Sequence, residues 1–218
     1  MKKDNTEKRV PKGEISYRIQ LSDEQKEVKQ GVFEKDVTII MGRQASGKTQ
    51  VAVLCALDLL HKRLVNQIII SRPVIKDSIG LLPGTMKEKM EYQVAPIIQC
   101  LYAAYNPQII DKYLEEKIIQ ILPIDYMKGI TFQNACTIIT EFEDCTWKQF
   151  ENVLTRLGKG SKLIFEGSLE QIDKSVGKES CLHKVMKLEK AGLVNYHILK
   201  SNHRNEDIFK ILDYIDAN

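Results

Sequence analysis

Residues Thr38 to Thr49 read TIIMGRQASGKT and constrain the fold of this 218-residue chain more than any other stretch. Gly42, Gly47, Lys48 and Thr49 meet the spacing G-x-x-x-x-G-K-[ST], the pattern of a loop that cradles nucleoside triphosphates. The motif needs a strand before it and a helix after it. Val37 to Met41 is an apolar, β-branched run, and Gln50 to Leu64 has a strongly helical pattern. Glycines at both ends let the backbone curl until its N–H groups face an anion, and the following helix adds its positive end. The candidate phosphate-binding residues are therefore Gly42, Arg43, Gln44, Ala45, Ser46, Gly47, Lys48, Thr49 and Gln50. Lys48 can reach the β and γ phosphates of ATP, and the Thr49 hydroxyl can ligate Mg²⁺. A chance match in an ordinary loop is the competing reading, and both flanks argue against it.

The chain is long enough for one α/β domain with a substantial core, expected over residues 14–218 after a basic, solvated tail at 1–13. Lys2, Lys3, Lys8, Arg9 and Lys12 make that tail basic, but a net charge of +3 is too small to demand a nucleic-acid partner. No apolar run reaches the roughly 18 residues of a membrane span, so no membrane partner is expected. The polar start, MKKDNTEKR, has no apolar segment behind it, and the expectation is a cytoplasmic chain without a secretory signal. Cys55, Cys100, Cys136, Cys145 and Cys181 form no C-x-x-C pair, and they read as reduced core thiols. His61, His183, His197 and His203 are dispersed, so no metal cluster is expected from them.

Taken in order, Ser16 to Leu21 reads as a short edge strand, and Ser22-Asp23-Glu24-Gln25 as a capping box opening a helix. Gln25 lies 17 residues before Gly42. Its amide could serve the cap or pair with an adenine edge, and both readings stay open. Ile68 to Ser71 is a continuous apolar strand of the kind covered on both faces, and strands alternating with helices argue for a parallel sheet. Thr85 to Glu116 reads as a helical insertion, about residues 85–117, interrupted at Pro96 and at Asn106-Pro107, and serving as a lid or an oligomer contact. Its Tyr92, Tyr102, Tyr105 and Tyr113 could stack on bases, although spaced aromatics on helices usually belong to a core. Ile118 to Ile124, Ala135 to Ile139, Lys162 to Glu166 and Leu193 to Leu199 read as further strands. Thr146 to Leu157, Lys178 to Lys190 and Glu206 to Ile215 read as helices. An acidic cluster, Glu141, Glu143 and Asp144, follows the Ala135 strand, where metal and water activation belong in a phosphate-loop protein.

These pieces together resemble the PhoH family, phosphate-starvation-associated ATPases related to the core domain of superfamily 1 helicases. The shared pieces, from Leu21 to Ile215, are the Gln25 helix, the Gly42 to Thr49 loop, Ser71-Arg72-Pro73, Leu81-Leu82-Pro83-Gly84, Met127-Lys128-Gly129, Leu154 to Lys162, Gly167 with Gln171-Ile172-Asp173, and Arg204. The resemblance implies a RecA-like P-loop NTPase of α/β class, with a mostly parallel sheet whose Phe165-Glu166 strand lies between the phosphate-loop strand and the acidic strand. It further implies that Gln25 reads adenine, Glu141 orients the attacking water, Gln171 senses the γ-phosphate and Arg204 contacts it from within the chain or from a neighbour. ATP and Mg²⁺ are the implied ligands, single-stranded RNA or DNA the implied partner, and a homo-oligomer such as a ring the implied assembly. The family occurs in bacteria and their viruses, so a host cytoplasm is equally consistent.

Two positions depart from the pattern. The family has Asp-Glu-Ala-Gln where this chain has Thr140-Glu141-Phe142-Glu143, and Gly-Asp where it has Gly167-Ser168. Both changes remove a carboxylate near the metal. Glu143 and Glu166 are the carboxylates at hand to compensate. Two functions follow as expectations: an Mg²⁺-dependent ATPase, or a nucleotide-binding regulator whose hydrolysis is weak or lost. A small kinase is a third, without an acceptor-binding motif in its favour.

Overall fold

In the computed structural model, residues 19–73, 86–168, 181–200 and Tyr214 are described. Helix α1 (Asp23–Glu34) opens with the predicted capping box: the Gln25 N–H donates to Ser22 Oγ at 3.3 Å and the Ser22 N–H to Gln25 Oε1 at 3.1 Å. Strand β1 (Val37–Gly42) leads through the phosphate loop into helix α2 (Lys48–His61), buried at every position from Val51 to His61. A helix apolar all round has to be covered all round. The sheet covers one side of α2, and α1 and helix α3 (Met86–Ala104) pack against it elsewhere. Between α2 and α3 runs strand β2 (Gln67–Ser71). Helix α4 (Pro107–Glu115) starts at Asn106, whose side chain accepts from the Gln108 N–H. Strand β3 (Ile119–Ile121), strand β4 (Ala135–Ile139), helix α5 (Trp147–Leu154), strand β5 (Lys162–Gly167), helix α6 (Leu182–Lys190) and strand β6 (Asn195–Leu199) complete the described elements.

The six strands form one sheet in the order β3-β2-β4-β5-β1-β6, parallel throughout. Phe165 of β5 pairs with Ile39 of β1 on one side and Ile139 of β4 on the other, the strand placement the resemblance implies. Side chains alternate between the faces. Ile40, Ile68, Ile70, Ile138 and Ile164 face α2 and share its core with Val28, Val32, Val94, Ile97 and Leu101. Ile39, Met41, Ile69, Ile139 and Phe165 face the opposite way, onto Phe142, Phe150, Val153 and Val185. A parallel sheet buried on both faces, with its phosphate loop leaving an interior strand, is the RecA-like α/β architecture.

Several boundaries differ from the sequence reading. α3 runs through Pro96 without a break, because Pro96 is exposed while Val94, Ile97, Leu101 and Ala104 are buried as a helical stripe against α2. Packing of that stripe outweighs the hydrogen bond that proline removes. β3 stops at Ile121 because Pro123, which has no N–H, begins the 3₁₀ turn Ile124–Met127. β6 starts at Asn195, after a turn in which Gly192 takes φ 68°. Of the expected edge strand over Ser16 to Leu21, residues 19–21 are irregular and the rest lies outside the described residues, as do the tail and, apart from Tyr214, the last helix. Tyr113 is buried against His61, Tyr105 meets the same ring edge-on, and Tyr102 donates its hydroxyl to Asp111 at 2.6 Å. These three tyrosines serve packing. The Tyr92 side chain lies outside the described residues.

Candidate functional site

Because every strand is parallel, the carboxyl ends of β1, β4 and β5 lie side by side at one edge of the sheet, where open α/β sheets bind ligands. The phosphate loop rises there from Gly42. A side chain on Gly42 would meet Ser46 Oγ at 2.6 Å and the Leu199 carbonyl at 2.7 Å, so the position requires glycine for close approach. Gly47 requires it for conformation, with φ 82°. Ala45 also lies in the left-handed region, at φ 62°. Left-handed residues spaced this way turn successive N–H groups towards a common point, an anion-binding concavity. The Ser46 hydroxyl donates to the Arg43 carbonyl at 2.9 Å, and Lys48 Nζ donates to the carbonyls of Gly42 and Arg43, each at 2.8 Å. The lysine ammonium thus spans the loop from within, at the N-terminus of α2, and holds its shape.

Thr49 follows in the first turn of α2, and its hydroxyl donates to Glu166 Oε1 at 3.1 Å. Glu166, on β5 opposite Ile40 of β1, is only 5% exposed. Burial pushes its carboxyl up to about 7; Glu141 pushes the same way, while Lys48, the Thr49 hydrogen bond and Arg72 pull it down. Hydroxyl and carboxylate oxygens side by side at a helix N-terminus are hard donors of the kind Mg²⁺ takes, so the residues present fit that ion.

Glu141, two residues past the end of β4, caps the 3₁₀ turn Phe142–Asp144 and lies in the left-handed conformation at φ 52° and ψ 49°. A non-glycine residue there costs about 1–2 kcal/mol, and such strain gathers at functional sites. The same turn buries Glu143, whose carboxyl burial pushes up to about 8, although its own backbone N–H and that of Ser168 hydrogen-bond to it; Glu141 and Glu166 raise it further. Gly167 makes room for it, since a side chain on Gly167 would meet Glu143 Oε2 at 2.2 Å. Thr140 and Ser168, the positions without the expected carboxylate, are both buried at this edge.

Gln25 reaches the same edge from the other side. The Lys200 N–H, just past β6, donates to Glu24 Oε2 at 3.1 Å, and Leu199 of β6 pairs with Gly42, so the first turn of α1 stands beside the phosphate loop. Gln25 is 2% exposed; Oε1 serves the cap, and Nε2 has no acceptor among the described residues. The cap therefore occupies only half of the amide.

At one edge the fold brings together Gln25, the residues from Gly42 to Gln50 and Glu141. Gln44 is exposed, and Arg43, Ala45, Gly47, Lys48, Thr49 and Gln50 are half-buried. Gln171 and Arg204 lie outside the described residues. Glu166 was visible in the sequence only as a spare carboxylate. Its aim at Thr49 depends on β5 lying beside β1, and alternation along LIFEG signals its face once that neighbour is known.

The family described as PhoH-like protein matches residues 19–208. A PhoH-like protein of Bacillus subtilis (strain 168) is 34% identical over 160 residues, covering 72% of this chain and 50% of that one. A PhoH-like protein of Mycobacterium tuberculosis (strain ATCC 25618 / H37Rv) is 35% identical over 144 residues, covering 65% of this chain and 41% of that one. The matches span half or less of the length of these curated relatives. The crystal structure of Pif1 helicase from Candida albicans aligns with 91% of this chain and 43% of that chain, at a TM-score of 0.46 and 15% identity.

Proposed function

The chain belongs to the PhoH-like family, and from that premise we propose that it binds ATP at the loop from Gly42 to Thr49 and hydrolyses it with Mg²⁺, coupling turnover to single-stranded RNA or DNA. The observation that carries the reading is the meeting, at one sheet edge, of a pre-shaped anion loop and the strained carboxylate turn at Glu141. Gln25 reads adenine: its unoccupied Nε2 donates to a ring nitrogen, and the second lone pair of Oε1 accepts from the exocyclic amine. Backbone N–H groups of residues 43–48 and the Lys48 ammonium hold the phosphates. Thr49 supplies the protein oxygen for Mg²⁺, which when bound offsets the charge on the β and γ phosphates. Glu141 orients the attacking water in line with the γ-phosphate and accepts its proton. On the resemblance alone, Gln171 senses the γ-phosphate and Arg204 offsets developing charge from a neighbouring subunit of a homo-oligomer.

ATP turnover with Mg²⁺, with and without single-stranded RNA, tests this reading in the wild type and Glu141→Gln. Wild-type turnover indistinguishable from that of the variant would refute hydrolysis. Thr140 and Ser168, carboxylate-free at the metal edge, favour a second reading: a nucleotide-binding regulator with little turnover. Tight ATP binding without turnover in the same samples would establish it. Light scattering with ATP present tests the oligomer.

A further inference from the structure

We infer that Glu166 is the positioning carboxylate of the magnesium site: from β5 it orients the Thr49 hydroxyl and accepts hydrogen bonds from water around the ion, supplying the negative charge that Thr140, just past β4, lacks. This inference rests on the proposed reading of the loop as an ATP site. Its geometry comes from the sheet. Ile164 faces α2, so Glu166, two residues on, faces α2 as well, over the helix start where Thr49 sits. On β4, Ile138 shares that face, and so does Thr140 two residues on, its N–H held to the Ser71 carbonyl at 2.9 Å. The ladder pairing Ile139 with Phe165 sets Thr140 beside Glu166 across one strand spacing, about 4.8 Å. A carboxylate on either strand thus enters the same space above α2.

The hydrogen bond itself defines the role. A hydroxyl that ligates a cation must turn its proton away and present a lone pair. Glu166 Oε1 receives the Thr49 proton and leaves the oxygen lone pairs for the ion. Oε2 would remain to accept a hydrogen bond from water around the ion. A purely structural Glu166 would support Thr49 equally with or without metal, and this difference is what an experiment can read.

The test is equilibrium titration of wild type and Glu166→Gln with the fluorescent N-methylanthraniloyl ester of ATP, in excess Mg²⁺ and in EDTA. Gln keeps the shape and an acceptor oxygen, and a thermal melt checks folding. The expected result is a 10- to 100-fold rise in Kd for the magnesium complex, the usual effect of losing a group that orients metal ligands, with the metal-free Kd changed less than about twofold. Adding Thr140→Asp to Glu166→Gln is expected to recover most of the loss. Equal weakening in both buffers, or in neither, would overturn the inference, and so would a double variant no better than the single one. Should Glu166→Gln fail to fold, Glu166→Asp, which withdraws the carboxylate by one methylene, is expected to show the same metal-specific loss. A wild type that binds nucleotide in neither buffer would overturn the ATP reading and this inference with it; the inference failing alone appears only in the variants.

Discussion

Replacing Gln25 by Leu separates two roles that one side chain holds. Among the described residues Gln25 accepts the Ser22 N–H through Oε1 and leaves Nε2 buried without an acceptor. Losing the cap bond costs about 0.5–1.5 kcal/mol. Removing a buried, unsatisfied donor returns about 1–3 kcal/mol. The two nearly cancel, so the ligand-free variant is expected to match the wild type in urea unfolding or to exceed it by about 1 kcal/mol. Nucleotide binding has no such cancellation. The adenine edge loses a desolvated donor worth about 1–3 kcal/mol, which is roughly 5- to 150-fold in Kd. GTP, with a carbonyl where adenine has an amine, is expected to bind the variant about as well as it binds the wild type. ATP and GTP titrations beside the urea curve provide the assay. A variant that loses about 1 kcal/mol of stability and binds ATP normally would refute the reasoning and leave Gln25 as a helix cap alone.

Three further outcomes follow from the site geometry. Glu141→Gly relieves a left-handed glutamate that costs about 1–2 kcal/mol, partly offset by glycine's own entropy of about 0.5–1 kcal/mol, so thermal stability is expected to hold or rise slightly while ATP turnover falls about 10²- to 10⁴-fold. Gly167→Ala drives a methyl into Glu143 Oε2 and the Phe142 N–H, and is expected to lower unfolding stability by about 1–3 kcal/mol. The folded chain keeps the Glu143 proton up to about pH 8, whereas the unfolded chain gives it up near 4.5. Between those values the unfolded state holds fewer protons, so this group lowers stability as pH rises, by up to about 1.4 kcal/mol per unit. Glu143→Gln is expected to remove that slope in urea unfolding measured from pH 5 to 8.

The phosphate loop was legible because its chemistry is local: four residues at fixed spacing in one strand, turn and helix determine where the N–H groups point. The buried strands were legible for a similar reason, since ACTII and LIFEG are apolar runs with no helical stripe. Pro96 shows what local reading lacks. Its ring argues for a break, and only the neighbouring α2 reveals that Val94, Ile97 and Leu101 hold the helix together. Gln25 is intermediate, because the cap was readable from Ser22 while the unoccupied Nε2 required the packed surroundings.

The carboxylate edge beside the phosphate loop was the least legible part, since it is assembled across three strands. Position by position, Thr140 and Ser168 appear as two lost carboxylates. In the fold each has a buried glutamate beside it: Glu166 on the Thr49 hydroxyl, one strand from Thr140, and Glu143 on the Ser168 N–H. The edge therefore already holds Glu141, Glu143 and Glu166; Glu141 raises the proton affinity of both Glu143 and Glu166, and Glu166 that of Glu143. It follows that Thr140→Asp in the wild type is not a repair. It would set a second carboxylate about 4.8 Å from Glu166 in buried surroundings, where like charges oppose each other. The same substitution in a Glu166→Gln background meets no such charge. Stability in a double-mutant cycle at pH 8 is thus expected to be non-additive by about 0.5–3 kcal/mol, with Thr140→Asp costly alone and tolerated with Glu166→Gln. Additive effects would mean that the two positions do not share one space, and that the carboxylates of β4 and β5 are not interchangeable.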